Sequence, residues 1–365
     1  MKTVLVSFLL ASCLAWYLFV YDAHIDWRIK LMDMSGRVFF YKCGANAKMV
    51  HFSRECLRPM ETQAPVKNHN GVISSDLEIP SITHPNTTIP ARLFKPLTQS
   101  TKKRALLVHY HGGGYSLGSG KSVFHDAVLR WIVDATDSYV LSVDYRLAPE
   151  HGFPACIQDS YNTFAYLNDL YNNKDSLFDN VDVEKIVTIG DSAGATLAFS
   201  SSYILRDQSY PVLSSENTIQ YTPFPKPITI KIAHQVLVYP NAHENTPSKS
   251  MKNVYLLNAD MREFFTKAYL GAVQQDEEFF KSQYIFPLRS HTFKDLPTTT
   301  VVTATFDPLR DDGHLIVKKY REAGVKVNHK EYRTVHGFFF FPFLKEAIDG
   351  VEYISQVLRE DKIIE

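Results

Sequence analysis

From residue 104 onward the chain repeats one alternation: a short apolar run, a turn, then a segment with helical spacing. The runs at 105–110, 139–144, 186–189, 232–239 and 299–305 are rich in Val, Ile, Leu and Tyr, with little in–out alternation. Such runs suit strands covered on both faces, as in a parallel sheet. Helical candidates at 123–134, 154–171, 195–205 and 313–323 fall between them. Pro154 would open its helix at the first turn, where a missing N–H costs nothing, and Gly324 would stop the helix before it. A strand at 325–332 and a helix at 341–358 close the chain. Parallel neighbours need crossovers, so this order predicts an α/β class with a doubly wound, mostly parallel sheet. Two stretches interrupt it. Residues 209–227 are polar and contain proline, and 241–289 insert helical material between two strands, the expected lid. Residues 22–100 lack a clean period and read as a cap with peripheral strands, alternation being clearest at 89–94. The main α/β domain is then expected over 101–365.

Within that alternation one turn carries chemistry. Residues 186–189 are β-branched, and Gly190-Asp-Ser-Ala-Gly194 follows, leading into an Ala/Leu-rich helical segment. A serine on a sharp strand-to-helix turn holds its hydroxyl above the sheet, and glycines on either side allow the turn and close helix packing. The pattern G-x-S-x-G occurs twice, however, the second time as Gly114-Tyr-Ser116-Leu-Gly118. Ser116 lies inside a glycine-rich loop whose helix begins only near Val123, so Ser192 is the stronger nucleophile candidate. A serine there could instead merely cap the helix.

A serine hydroxyl needs a base, and the base needs an acid to fix its tautomer. Asp307 stands just past the run 299–305. Asp311 and Asp312 are rivals, but at the start of the next helix they would serve its dipole. His336 follows the last strand, with Gly337 allowing a turn. Among 14 histidines, its position and order select it, while His314 and His329 read as structural. His111-Gly-Gly-Gly114 directly follows the first strand of the series, where bare backbone N–H groups could face a developing oxyanion. Ala193 could supply another.

Other functions are less well supported. The formal net charge is zero and no basic stripe is present, so no nucleic-acid partner is expected. Gly120-Lys-Ser122 looks like part of a phosphate-binding loop, but Tyr115 stands where the fingerprint requires glycine. His109 and His111 form an H-x-H without partner ligands in the sequence, so neither a metal nor a cofactor is expected. The hydrophobic share of 45% and charged share of 21% suit a globular enzyme with a large core. Of four cysteines, Cys13 lies in the N-terminal run, and Cys43, Cys56 and Cys156 read as free thiols before a disulfide. Residues 3–21 carry no charge, close to the ~20 residues that span a bilayer. Residues 1–21 read as a signal anchor, with a cleaved signal peptide as the alternative. Charge flanking favours a cytoplasmic domain, whereas the sequon at Asn86 points to glycosylation and the other side.

Taken together, His111-Gly-Gly-Gly114, Asp144-Tyr-Arg-Leu-Ala-Pro-Glu150, Gly190-Asp-Ser-Ala-Gly194, Asp307-Pro-Leu-Arg-Asp-Asp-Gly313 and His336-Gly337 resemble the hormone-sensitive-lipase-like esterases. The resemblance covers about residue 102 to the C-terminus. It implies an α/β-hydrolase fold with a helical cap, Ser192 as nucleophile, His336 as base and Asp307 as orienting acid. It also implies an oxyanion hole from the backbone of Gly112, Gly113, Gly114 and Ala193. The N-terminal run resembles that of the arylacetamide deacetylase and neutral cholesterol ester hydrolase branch, implying anchorage in the endoplasmic reticulum with a luminal domain. The expected partner is a small-molecule or lipid ester. Ala195-Thr196 and the aromatic run 338–341 depart from the family's pattern. The alternative function is a ligand-binding or receptor protein on the same fold without turnover, against which an intact serine, acid and histidine argue.

Overall fold

The computed structural model describes Leu14 and residues 27–31, 71–176, 179–242, 249–252, 255–271, 281–341 and 343–365. Residues 1–13 and 15–26, together with Cys43 and Cys56, lie outside this set, and so does almost all of the expected membrane segment. No helix of the described residues is long and apolar enough to cross a membrane.

Eight strands form one sheet: β1 (Val72–Pro80), β2 (Thr88–Pro96), β3 (Arg104–Tyr110), β4 (Tyr139–Val143), β5 (Val181–Asp191), β8 (Ile232–Val238), β9 (Thr298–Phe306) and β10 (Val327–Val335). Their order across it is β1-β2-β4-β3-β5-β8-β9-β10. From β4 to β10 all neighbours are parallel, whereas β1 and β2 pair antiparallel with each other and β2 with β4. Residues 209–227, polar and proline-containing, hold structure of their own. They carry a separate hairpin, β6 (Ser209–Leu213) and β7 (Ile219–Pro223), whose alternation was hidden by Pro211 and Pro223 at strand positions.

The crossovers are α1 (Val123–Thr136), α2 (Ala155–Asn172), α3 (Ala193–Asp207) and α5 (Arg310–Glu322), with α4 (Ala259–Leu270) in the insertion and α6 (Lys345–Glu360) at the end. The unbroken apolar runs are explained by two-sided burial. On β3, Leu106, Val108 and Tyr110 join the core formed with Ile157 and Phe164 of α2, Phe199 of α3 and Tyr320 of α5. Ala105 and Leu107 point the other way, into the core with Leu129 and Ile132 of α1 and Ile354 of α6. Each buried Leu, Ile, Val or Phe side chain among these contributes about 1.5–3 kcal/mol. Ser122 caps α1 by accepting the His125 N–H. The last helix starts at Lys345, later than its apolar pattern suggests, and is preceded by a 3-10 turn at Phe338–Phe340 with Phe338 and Phe339 buried.

The first turn of α5 does more than meet a helix dipole. Asp312 Oδ2 accepts the Ala242 N–H at 3.0 Å and Asp311 Oδ2 accepts that of Ser250 at 3.0 Å. The two carboxylates therefore fasten the insertion to the sheet domain.

His234 on β8 is fully buried, with Nε2 at 2.8 Å from Thr300 Oγ1 and Nδ1 at 3.2 Å from Asp361 Oδ2. Burial holds its pKa at about 4 against an ordinary 6.5, Asp361 opposing that shift and Lys326 reinforcing it. The unfolded chain thus takes up a proton that the folded chain refuses, and stability is lost as pH falls from about 6.5 towards 4. Asp76, held below the usual carboxylate range by its hydrogen bond from Arg92, adds a further loss as pH falls below its ordinary 3.8. The expected result is a urea midpoint that declines steadily between pH 7 and 4. A midpoint constant over that interval would contradict the assignment.

Candidate active site

Because β3 and β5 are adjacent, the loops leaving their C-terminal ends lie side by side. Because β8, β9 and β10 follow in order, the ends of β9 and β10 reach the same edge. The glycine loop, the Ser192 turn, Asp307 and His336 leave those ends.

Ser192 sits between β5 and α3 with φ 53° and ψ −121°, a conformation that costs a non-glycine residue on the order of 1–3 kcal/mol. The neighbouring glycines make the turn feasible. A Cβ on Gly190 would meet the Gly194 carbonyl, and one on Gly194 would run into the carbonyls of Tyr110 and His111. Gly194 is what lets α3 lie directly against β3. Gly194→Ala is therefore expected to destabilise by about 3 kcal/mol, the upper range for overpacking against an unyielding backbone. A thermal melt indistinguishable from wild type would show that the helix can move aside.

The Ser192 side chain caps nothing. Its Oγ lies 3.0 Å from His336 Nε2, and His336 Nδ1 lies 2.8 Å from Asp307 Oδ2. A carboxylate only accepts, so Nδ1 carries the proton and the Nε2 lone pair faces the serine hydroxyl. Asp307 is fully buried, and its Oδ1 accepts the Leu309 N–H at 2.7 Å. Both carboxylate oxygens are thus held. Ser116, in contrast, is buried in the glycine loop, where its N–H donates to the Gly113 carbonyl at 3.1 Å.

One expected oxyanion donor is otherwise engaged. The Gly112 N–H donates to Asp191 Oδ1 at 2.9 Å, so it is not free to meet a substrate. Gly113, Gly114 and Ala193 remain, their N–H groups having no acceptor among the described residues. The loop is held from behind by the 144–150 motif, whose part the sequence alone did not disclose. Tyr145 donates to the His111 carbonyl at 2.6 Å and stacks on its ring at 4.3 Å. Asp144 Oδ1 accepts the Gly120 N–H at 3.1 Å. The Ala148 N–H donates to the Tyr115 carbonyl at 2.8 Å. Arg146 pairs with buried Asp159 at 2.8 Å.

Three further residues at the site were not singled out in the sequence. Tyr239, just past β8, packs its ring against His336 at 4.7 Å, and burial raises its phenol well above the ordinary value. Phe265 and Tyr269 reach down from α4: a Cβ on Gly114 would meet the Phe265 ring, and Tyr269 stacks on Tyr115 at 4.0 Å. The insertion therefore stands over the glycine loop. Thr196, at one of the unusual positions, donates to the Asn241 carbonyl where the insertion starts. The aromatic run is mostly core, with Phe338 beside Tyr239 and Phe340 against His125.

A strained serine at a strand–helix turn, in line with a histidine and a buried aspartate on one parallel sheet, defines a hydrolase of the serine type. A model of the α/β-hydrolase fold family matches residues 107–340. The chain is 30% identical to an arylesterase of Saccharolobus solfataricus over 259 residues, 70% of this chain and 74% of that protein. It is 25% identical to the arylacetamide deacetylase of Bos taurus over 315 residues, 75% of this chain and 78% of that protein. Among solved structures, a hyperthermophilic esterase from Pyrobaculum calidifontis superposes with a TM-score of 0.68 at 28% identity, covering 90% of this chain and 98% of that one. The protein belongs to the α/β-hydrolase fold family.

Proposed function

We propose that this carboxylic ester hydrolase works through an acyl-enzyme, with Ser192 as nucleophile, His336 as general base and Asp307 as the acid that orients it. The observation that carries the reading is the unbroken chain Ser192 Oγ–His336–Asp307, at 3.0 and 2.8 Å. Ser192 attacks the ester carbonyl as His336 takes its proton, and the new oxyanion is met by the amides of Gly113, Gly114 and Ala193. His336 then protonates the leaving alcohol. Water, deprotonated by the same imidazole, releases the acid. No step draws on a cofactor.

The substrate class is small apolar or lipid carboxylic esters. Supporting this are the aromatic rings of Phe265 and Tyr239 beside the site, and relatives named arylesterase and arylacetamide deacetylase. A panel of p-nitrophenyl and lipid esters of increasing chain length tests it, turnover being expected without any added cofactor. Folded protein that is inert at every chain length yet retains an ester ligand would move the reading to a binding protein on the same fold.

Residues 1–21 are proposed as a signal anchor that places the enzyme at the endoplasmic reticulum membrane with its domain in the lumen. The uncharged run at 3–21 and the exposed turn position of Asn86 between β1 and β2 support this. A luminal domain would shift on gels after endoglycosidase treatment, and Asn86→Gln would abolish the shift.

A further inference from the structure

His109, the first histidine of the H-x-H, has partners that only the fold brings near. His109 on β3, His125 in the first turn of α1 and Asp191 at the end of β5 offer one ligand atom each, all within 4.8 Å of one another, and all three residues are buried. His109 Nε2 and His125 Nε2 lie 3.9 and 3.8 Å from Asp191 Oδ1. These distances are too long for hydrogen bonds, and His125 Nε2 is a buried atom without a partner.

The proton positions sharpen this. Ser142 Oγ donates its one hydrogen to the Gly120 carbonyl at 2.9 Å. It can therefore only accept from His109 Nδ1, which lies 2.9 Å away. His109 is thus the Nδ1–H tautomer, and its Nε2 turns a bare lone pair towards a carboxylate oxygen. A lone pair facing a carboxylate in a buried space calls for a cation between them.

We propose that His109, His125 and Asp191 form a structural site for a divalent transition-metal ion of the zinc class. Imidazole nitrogens and a carboxylate are the donors zinc accepts. A bond length of about 2.0–2.1 Å places tetrahedral ligands about 3.4 Å apart, about half an ångström less than the 3.9 and 3.8 Å that separate the two imidazoles from Asp191 Oδ1. The hydrogen bonds that would orient the two imidazoles are already in place. His109 donates its other nitrogen to Ser142, and His125 Nδ1 lies 2.8 Å from Ser122 Oγ, the arrangement by which ligand imidazoles are oriented. Since Asp191 also accepts the Gly112 N–H, the ion would brace the base of the glycine loop without touching substrate. A second cluster, His314, His329 and Glu331, is less suited. It is largely exposed, His314 Nε2 is already paired with Glu331 at 2.7 Å and His329 Nε2 with Thr303 Oγ1 at 2.9 Å.

The experiment is equilibrium dialysis of chelator-treated full-length protein against Zn²⁺, read by metal analysis, with Co²⁺ absorption reporting the ligand geometry. Wild type is expected to retain one equivalent of zinc and to melt at a higher temperature with Zn²⁺ than with EDTA. His109→Phe should lose the zinc, and His314→Ala should keep it, folding of both being checked by circular dichroism. If His109→Phe does not fold, the wild-type melts with Zn²⁺ and with EDTA decide, and identical melts overturn the proposal. It is likewise overturned by wild-type protein that binds no zinc, as it would if a water fills the gap, or by zinc that survives His109→Phe.

Discussion

Ser192→Ala is expected to lower kcat for short p-nitrophenyl esters by on the order of 10⁴- to 10⁶-fold, with little change in KM. The loss is large because the attacking oxygen is removed while the amides of Gly113, Gly114 and Ala193 and the binding surface stay in place. What survives is the residual activity that those groups alone provide. Alanine keeps a Cβ at φ 53°, so the strain of the turn is retained and the melting temperature should stay close to wild type. A fluorophosphonate should label wild type on Ser192 and leave the variant unlabelled. The matched control is Ser116→Ala, at the second G-x-S-x-G, which should retain labelling. A Ser192→Ala protein that turns over esters at the wild-type rate would overturn the mechanism, and labelling lost in Ser116→Ala alone would reassign the nucleophile.

Asp307→Asn should cost about 10⁴-fold in kcat. Asp307 uses both oxygens, Oδ2 for the His336 Nδ1–H and Oδ1 for the Leu309 N–H. An amide has one acceptor oxygen, so either orientation sets its NH₂ against one of those donors. With the NH₂ facing His336, the imidazole is driven to its other tautomer and presents Nε2–H to Ser192, unable to take a proton. Raising the pH does not reverse a wrong tautomer, so the deficit should persist across the pH profile. Asp311→Asn provides the contrast: its carboxylate holds the Ser250 N–H, and the variant should lose stability in the insertion before it loses turnover. An Asp307→Asn enzyme within tenfold of wild type would remove Asp307 from the mechanism.

Much of this arrangement is legible in the chain itself. The unbroken apolar runs foretell strands covered on both faces, and the fold places Leu106 and Leu107 of one strand in opposite cores. Sequence order around Ser192, Asp307 and His336 distinguishes them from rivals of the same residue type, since each follows a strand end directly. The hairpin of β6 and β7 was not legible, because prolines at strand positions erase the usual signal. Nor were Tyr239, Phe265 and Tyr269. An aromatic residue near a strand end or on an amphipathic helix reads as core until its neighbour is known.

Gly112 and His109 mark where local pattern stops being sufficient. A glycine triplet after a strand offers three amides alike, and nothing in the triplet says which is taken. The Asp191 carboxylate, 79 residues away in the chain, takes the first. His109 likewise shows no neighbouring histidine and carboxylate until β5 pairs with β3 and α1 folds back across the sheet. The sequence by itself determined the class of fold and the order in which a serine, an aspartate and a histidine follow strand ends, because strand periodicity and turn chemistry are local properties of a chain. Only the tertiary structure decided which backbone amides are left without an acceptor and which histidines are brought near one carboxylate, because a donor's availability depends on acceptors that are distant in sequence and adjacent in space.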